Sequence, residues 1–209
     1  MGKSNKKGKS NSNYGSQNIY SENKKSKPLA PELQNMSSDE LFNEARNLYQ
    51  IGVAGDIEAA RQALRLLDKL YKETPGNALF QAYYASAFIL KAREETNLVE
   101  KGKISSKGLN LLDSALSREP DNIEIRIVRA YVSKNLPEWL NRGSSAIDDF
   151  QYLRSRYEAD PTVFNKAFYL QIQSEIEEVQ KKIAAIKPHV QKIYDSFSEM
   201  SKKKMAKRR

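Results

Sequence analysis

The feature that most constrains the fold of this chain is a phrase that occurs twice. Residues 63–77 read ALRLLDKLYKETPGN, and residues 108–122 read GLNLLDSALSREPDN. The two copies are identical at Leu64/Leu109, Leu66/Leu111, Leu67/Leu112, Asp68/Asp113, Pro75/Pro120 and Asn77/Asn122. A helical hairpin leaves one apolar face uncovered and can cover it by stacking on a copy of itself, so folds of this kind repeat their sequence. The repetition therefore predicts stacked helical units.

Apolar residues recur at helical spacing from residue 37 onward. Ser37 and Glu40 have the spacing of a capping box, which predicts that a first helix starts there, and Asp56 is placed to cap a second. Further helices are predicted over 78–97, 105–119, 123–135 and 144–159, with a long one from residue 160. Because no stretch alternates apolar and polar residues as a strand does, the predicted fold class is all-α.

The repeated phrase resembles the second half of a tetratricopeptide repeat. The resemblance rests on small and large residues at fixed spacing before a proline, at Ala63, Leu67, Leu70 and Pro75, and again at Gly108, Leu112, Ala115 and Pro120. A looser third copy ends at Pro161, and Ala85 and Ala130 stand where the family's first helices need close contact. The resemblance implies a right-handed α-α superhelix of three helical hairpins over residues 36–165.

The chain departs from that family in two ways. The tryptophan and the Leu-Gly pair of the family's first helix are absent, and successive repeat prolines are 45 and 41 residues apart, at positions 75, 120 and 161. The family's standard period is about 34 residues. Extra residues are therefore expected within 94–106 and 135–145, where Trp139 is predicted to anchor a turn to the body.

The C-terminal part predicts one long amphipathic helix over residues 166–200. Its apolar residues alternate at spacings of three and four, as in a heptad seam. They are Ile172, Ile176, Val179, Ile183, Ile186, Val190, Ile193, Phe197 and Met200. The phase continues across Pro188, so a continuous helix kinked near that proline is expected. We expect it to cap the last repeat in a monomer, with a homodimer through residues 172–200 as the alternative.

Basic charge is concentrated at the two ends of the chain. Of the net charge of +9, residues 1–35 carry +5, residues 199–209 carry +5, and residues 36–198 carry −1. Residues 1–35 are predicted to be a disordered basic tail and residues 201–209 a second basic tail, since neither has enough apolar surface to order itself. Solvation is the expected role of these charges, and adhesion to an acidic partner is the alternative.

Composition argues against several function classes. The chain has no cysteine, a single histidine at position 189 and no apolar run long enough to cross a bilayer, so we expect no thiolate metal site, no cofactor, no transmembrane segment and a cytoplasmic location. No nucleotide-binding glycine motif and no zinc-protease motif occurs. Asp148 and Asp149 are adjacent on a helix, so their side chains diverge and cannot readily share a metal or a proton. These patterns indicate a protein that is not an enzyme.

Two sets of residues are candidates for binding or for structural pairing. Arg126 and Arg129 lie one turn apart on one helix and need partners, so Arg129 is expected to pair with Asp113, Asp148 or Asp149 between repeats. For Arg126, such pairing and a place in a peptide groove both stay open. The resemblance also implies a concave groove in which the first helices grip a peptide. The groove residues assigned on that basis are Asn43, Asn47, Ser86, Arg126, Tyr131 and Lys134.

Three functions remain on sequence grounds, and the weakest of them is a self-assembling structural protein that uses the seam of residues 172–200. The first is a scaffold or adaptor that binds a protein or peptide partner through the concave groove of a helical-repeat fold. The alternative is an accessory protein of nucleic acid or ribosomes that acts through its basic tails. The near-neutral charge of residues 36–198 favours the first, because a nucleic-acid-binding domain is expected to carry its basic patch on the fold.

Overall fold

The computed structural model describes Leu33 and residues 35–206, with side chains up to residue 200. Seven α-helices follow one another there: α1 Ser38–Val53, α2 Ile57–Glu73, α3 Ala78–Lys91, α4 Leu98–Arg118, α5 Ile123–Asn135, α6 Gly143–Ala159 and α7 Lys166–Ala206. Short 3-10 turns at Ala92–Glu94 and Glu138–Leu140 follow α3 and α5. This part of the chain contains no strand, which confirms the predicted all-α class. The predictions for the N-terminal tail and for residues 207–209 lie outside the described residues.

The predicted helix starts at Ser37 and Asp56 are confirmed. The Ser37 N–H donates to Glu40 Oε2 at 2.9 Å, while the Glu40 N–H donates to Ser37 Oγ at 3.3 Å. Asp56 Oδ1 accepts from the Ala59 N–H at 2.9 Å. Each cap satisfies backbone donors that the first turn of a helix leaves unpaired, and it thereby fixes where the chain turns into the helix.

Two helix starts differ from the sequence-based prediction. Helix α4 begins at Leu98, seven residues before the predicted start, because Asn97 Oδ1 accepts from the Val99 N–H at 2.9 Å and caps it. The extra residues of the second unit therefore lengthen a helix. Helix α7 begins at Lys166, six residues after its predicted start at residue 160. Asp160 is instead the C-cap that ends α6, and a turn separates the two helices. From there it continues to Ala206 with Pro188 inside it, so the predicted continuity across that proline is confirmed.

The repeated phrase folds into a repeated structure. Thr74 ends α2 with φ −132° and ψ 66°, and Glu119 ends α4 with φ −130° and ψ 71°. Three residues later, Asn77 and Asn122 each cap the next helix by accepting from the N–H three positions on, at 3.0 and 3.1 Å. Matching backbone angles and matching caps at both sites mean that the two copies encode the same helix–turn–helix junction.

The helices pack as consecutive hairpins. Helix α1 packs on α2, α3 on α4 and α5 on α6, while α1, α3 and α5 also contact one another in series. Glycines allow two of the close approaches. A Cβ added to Gly52 would lie 2.7 Å from Ala60 Cα, and one added to Gly108 would overlap Ile89 and lie 3.1 Å from the Ala85 carbonyl oxygen. Helix α3 is buried along almost its whole length.

The last hairpin shares its core with only the first part of α7. The buried members of this core are Ala130, Ala146, Phe150, Leu153, Ile172, Ile176 and Val179. Further along the same stripe, exposure rises to 37% at Ile183, 56% at Val190 and 62% at Phe197. Ile186, between these positions, is half-buried, so the packing of α7 within the chain ends near residue 186. Of the helices described, each is too short or too polar to cross a bilayer.

Candidate functional site

The surface between the first helices of the three hairpins is crossed by the chain's own side chains. Arg46 of α1 forms an ion pair with Glu124 of α5, with 3.2 Å between Nη2 and Oε1. The hydroxyl group of Tyr83 on α3 donates a hydrogen bond to the same Glu124 oxygen at 2.7 Å. Burial and this glutamate raise the pKa of Tyr83. These contacts join α1, α3 and α5 through their own side chains.

The residues assigned to the groove are not brought together as one surface. Asn43 and Asn47 are exposed on α1. Ser86 is buried and donates to the Tyr83 carbonyl oxygen at 2.8 Å. Tyr131 accepts from Gln171 of α7 at 2.9 Å, and burial together with Glu175 raises the pKa of Tyr131 to about 12.

Lys134, another residue assigned to the groove, joins α5 to α7. Its ammonium group donates to Glu175 and, at 2.7 Å, to Glu178 Oε2. The ammonium group of Lys182 lies 2.7 Å from the other oxygen of that carboxylate, Glu178 Oε1. Burial alone would lower the pKa of Lys134, but the two glutamates outweigh it and raise the pKa. The hydrogen bonds from Lys134 and Lys182 lower the pKa of Glu178 to about 2. Lys134 therefore holds α7 in place.

A cluster of charged side chains fixes the last two hairpins together. Arg129 donates from Nε and Nη2 to the two oxygens of Asp149, at 2.7 and 3.0 Å, and from Nη1 to Asp113 at 3.0 Å. Arg126 donates to Asp149 at 2.9 Å, and Arg142 makes two hydrogen bonds to Asp113. Arg126 thus lies in this cluster. The cluster spans α4, α5 and α6.

Asp148 does not take part in that cluster. It is exposed on α6 and forms no ion pair with any described residue, whereas its neighbour Asp149 is completely buried. Only one of the two adjacent acids can face α5, since successive side chains on a helix point about 100° apart.

A concave site lies where the intrachain packing of α7 ends. A cavity of about 650 Å³ opens between the end of α5, the loop before α6 and the side of α7. We call it the Trp139 groove. Its apolar lining consists of Leu136, Pro137, Trp139, Val179, Ile183, Ile186 and Val190. Trp139 is 59% exposed, and its ring edge lies 3.5 Å from where a Cβ on Gly102 would stand. One edge of the ring packs against α4, and the exposed remainder of the ring lines the groove.

Cationic side chains outnumber carboxylates among the residues that line the Trp139 groove. Four cationic side chains line it, Lys134, Arg142, Lys182 and Lys187, against the single carboxylate of Glu138. The first three are paired with carboxylates of this chain. Lys187 has no ion-pair partner among the described residues, so it is free to meet an acidic group of a bound molecule.

A smaller cavity of about 260 Å³ lies among α1, α3, α4 and α5. Its polar lining includes Tyr49, Ser86, Arg93, Lys101, Ser105, Tyr131 and Asn135. Two residues assigned to the groove, Ser86 and Tyr131, line this cavity together. Burial raises the pKa of Tyr49.

Sequence reasoning did not find the Trp139 groove. It took Trp139 as an anchor and read Ile183 and Val190 only as part of a seam. Two features of the sequence could have indicated it. One is a tryptophan in a turn that contains Pro137, and the other is that the apolar seam of the last helix is longer than the helix that packs against it. Helix α6 has 17 residues and α7 has 41, so α6 cannot cover the whole of α7.

Fold and site together define an all-helical protein of consecutive hairpins with an apolar groove at the end of the last one. Among its described residues, no three His, Cys, Asp or Glu side chains come together as a metal site requires. The chain has no match among protein-family models, curated proteins or solved structures.

Proposed function

We propose that the chain is a non-enzymatic scaffold or adaptor of the helical-repeat class that binds another protein through the Trp139 groove. The observation that carries this proposal is the exposure of Trp139, Ile183 and Val190 in one concave site. Tryptophan is enriched among the residues that dominate binding energy, and a concave apolar patch on a rigid body is typical of an interaction site.

The rigidity of the body supports a binding role. The groove is bordered by α5 and by the loop that carries Arg142, and both belong to the cluster around Asp113 and Asp149. Helix α7 is held by Lys134. The walls formed by α5, the loop and the packed part of α7 are already fixed and lose little conformational entropy when a partner binds, so more of the contact energy appears as affinity.

The finer architecture forms part of the proposal. The matching junctions at residues 74–77 and 119–122 support a degenerate tetratricopeptide-like array, whose hairpins would wind as a right-handed superhelix capped by α7. We place the binding site at the end of this array, because Trp139 and the apolar side of α7 are exposed there. A cytoplasmic monomer is the state in which we propose that it acts.

Affinity capture from cells that produce the protein tests this function. The full chain should retain a discrete protein at high salt, Trp139→Ala should lose most of it, and Ile57→Ala should retain it. Ile57 is a matched control because it is 54% exposed on α2, a helix that does not line the groove. Recovery only of RNA or ribosomal material that salt removes would contradict the proposal and favour the basic tails.

A further inference from the structure

The second half of α7 carries an apolar stripe that nothing in the described chain covers. Val190, Ile193, Phe197 and Met200 are each more than half exposed. With Ile183 and Ile186 they keep alternating spacings of three and four, which makes a narrow seam on one side of the helix. We call residues 183–200 the free seam.

The free seam continues an interface that already exists. Ile176 and Val179, which precede the free seam on the same stripe, are buried in the core that α7 shares with α6. Helix α6 begins at Gly143, whose position lies against Ile183. A second helix placed beyond the start of α6 would therefore continue the same packing along α7. The Trp139 groove lies at this junction and would take the near end of such a helix.

The width of the stripe indicates the kind of partner. An apolar face confined to two positions per heptad is the seam of a coiled coil, whereas a helix that lies on a membrane needs a broader apolar face. Pro188 falls five residues after Ile183 and two before Val190, on the side of the helix opposite the seam. Its missing N–H therefore does not interrupt the packing surface.

The positions that flank the seam argue against a second copy of this chain. Between residues 180 and 196 they are Gln180, Lys182, Lys187, His189, Tyr194 and Ser196, and none is acidic. In a parallel dimer, Lys182 of one copy would face Lys187 of the other, because flanking residues pair across the seam at that offset. In either direction, no carboxylate is present to attract a lysine across the interface.

From these observations, we infer that the free seam binds an amphipathic helix of a different protein, apolar at its seam positions and acidic at its flanking positions. The inference rests on the proposed function and names the class of partner. Lys187 supplies the charge complementarity, since it is unpaired and lies at the edge of both the seam and the Trp139 groove. Complementary flanking charges select the partner and its orientation in coiled coils.

Binding of designed peptides to the full chain tests the inference. The probes are two fluorescent 21-residue heptad peptides with leucine at the seam positions, one with glutamate and one with lysine at the flanking positions. We expect the acidic peptide to bind at least about tenfold more tightly at physiological salt. Ile193→Asp and Phe197→Asp should abolish this binding. Ser198→Asp, which adds the same charge next to Phe197 but off the seam, should keep it.

Several results would overturn the inference. They are equal binding of the two peptides, no binding of either, and self-association of the free chain that Ile193→Asp abolishes. Binding to vesicles of anionic phospholipid that Phe197→Asp abolishes, without binding of the acidic peptide, would also overturn it in favour of a membrane. If the peptide test fails while Trp139-dependent capture persists, only the partner class is wrong. If capture does not depend on Trp139, the proposed function itself fails.

Discussion

Arg129 holds both carboxylate oxygens of Asp149, with Nε 2.7 Å from Oδ2 and Nη2 3.0 Å from Oδ1. Asp149 is fully buried, and its partners Arg126 and Arg129 are each 15% exposed. A planar guanidinium that meets a carboxylate in this two-point geometry fixes the relative position of the two helices that carry them. One buried acid therefore fixes how α5 and α6 are placed against each other, in addition to the apolar core that they share.

Replacing Asp149 by alanine should destabilise the protein strongly. The change leaves arginines in a largely buried site without their main counter-ion, and removal of one partner from a buried ion pair costs about 3–5 kcal/mol. Asp148→Ala, one residue away on the exposed face, should change the free energy of unfolding by no more than about 0.5 kcal/mol. Urea denaturation followed by circular dichroism measures both. Equal losses for the two variants would refute the structural role of the cluster.

Two glycines of α4 should respond in opposite ways to alanine. Gly102→Ala should stabilise the chain by up to about 1 kcal/mol, because alanine favours a helix interior and the new methyl group meets only ordinary contacts with Trp139. Gly108→Ala should destabilise it, because the methyl group overlaps Ile89 and presses on the Ala85 carbonyl. Thermal melts of the two variants provide the comparison. A stabilised Gly108→Ala variant would show that α3 and α4 do not approach this closely.

Ser133→Ala should raise stability. The Ser133 hydroxyl is buried in α5 and has no hydrogen-bond partner among the described residues. A buried polar group without a partner costs about 1–3 kcal/mol, and alanine is also the better helix former. We expect a gain of about 1 kcal/mol in the free energy of unfolding. A loss of stability in this variant would mean that the hydroxyl is paired.

Stability should fall with acid through the titration of Glu178. Its pKa is lowered from 4.5 to about 2 in the folded chain by its hydrogen bonds to Lys134 and Lys182. A carboxylate with a lowered pKa stabilises the fold above its unfolded value, so this contribution is present above pH 4.5 and is lost as the pH falls toward 2. Glu178→Gln should reduce the slope of stability against pH in that window. An unchanged slope would remove Glu178 from the contacts that hold α7.

Local signals in the sequence were sufficient to predict most of the helices. The capping box at Ser37 and the cap at Asp56 act within four residues, so each is visible in a short window. The early start of α4 was missed because residues 98–104 lack a clear apolar period, and Asn97 alone determines the start. A capping residue that is not followed by apolar residues at helical spacing is weak evidence for the start of a helix.

Long-range pairing was the part that the sequence could not provide. Arg46 and Glu124 are 78 positions apart, and nothing in either neighbourhood indicates that they meet across α3. Their contact links the first helices of two hairpins, which no pattern within one repeat specifies. The burial of Asp149 instead of Asp148 likewise depends on how α6 is rotated against α5, which a local pattern does not determine.

Hydrogen exchange of the full chain, alone and with the acidic peptide, tests the central claim most directly. Alone, amides of residues 187–200 should exchange much faster than those of α3, because the free seam lacks tertiary contacts and α3 is buried. With the peptide, protection should appear at residues 183–200 and around Trp139, and α1 to α3 should be unchanged. Protection that appears in the tails or along α1 and leaves the free seam unchanged would contradict the account.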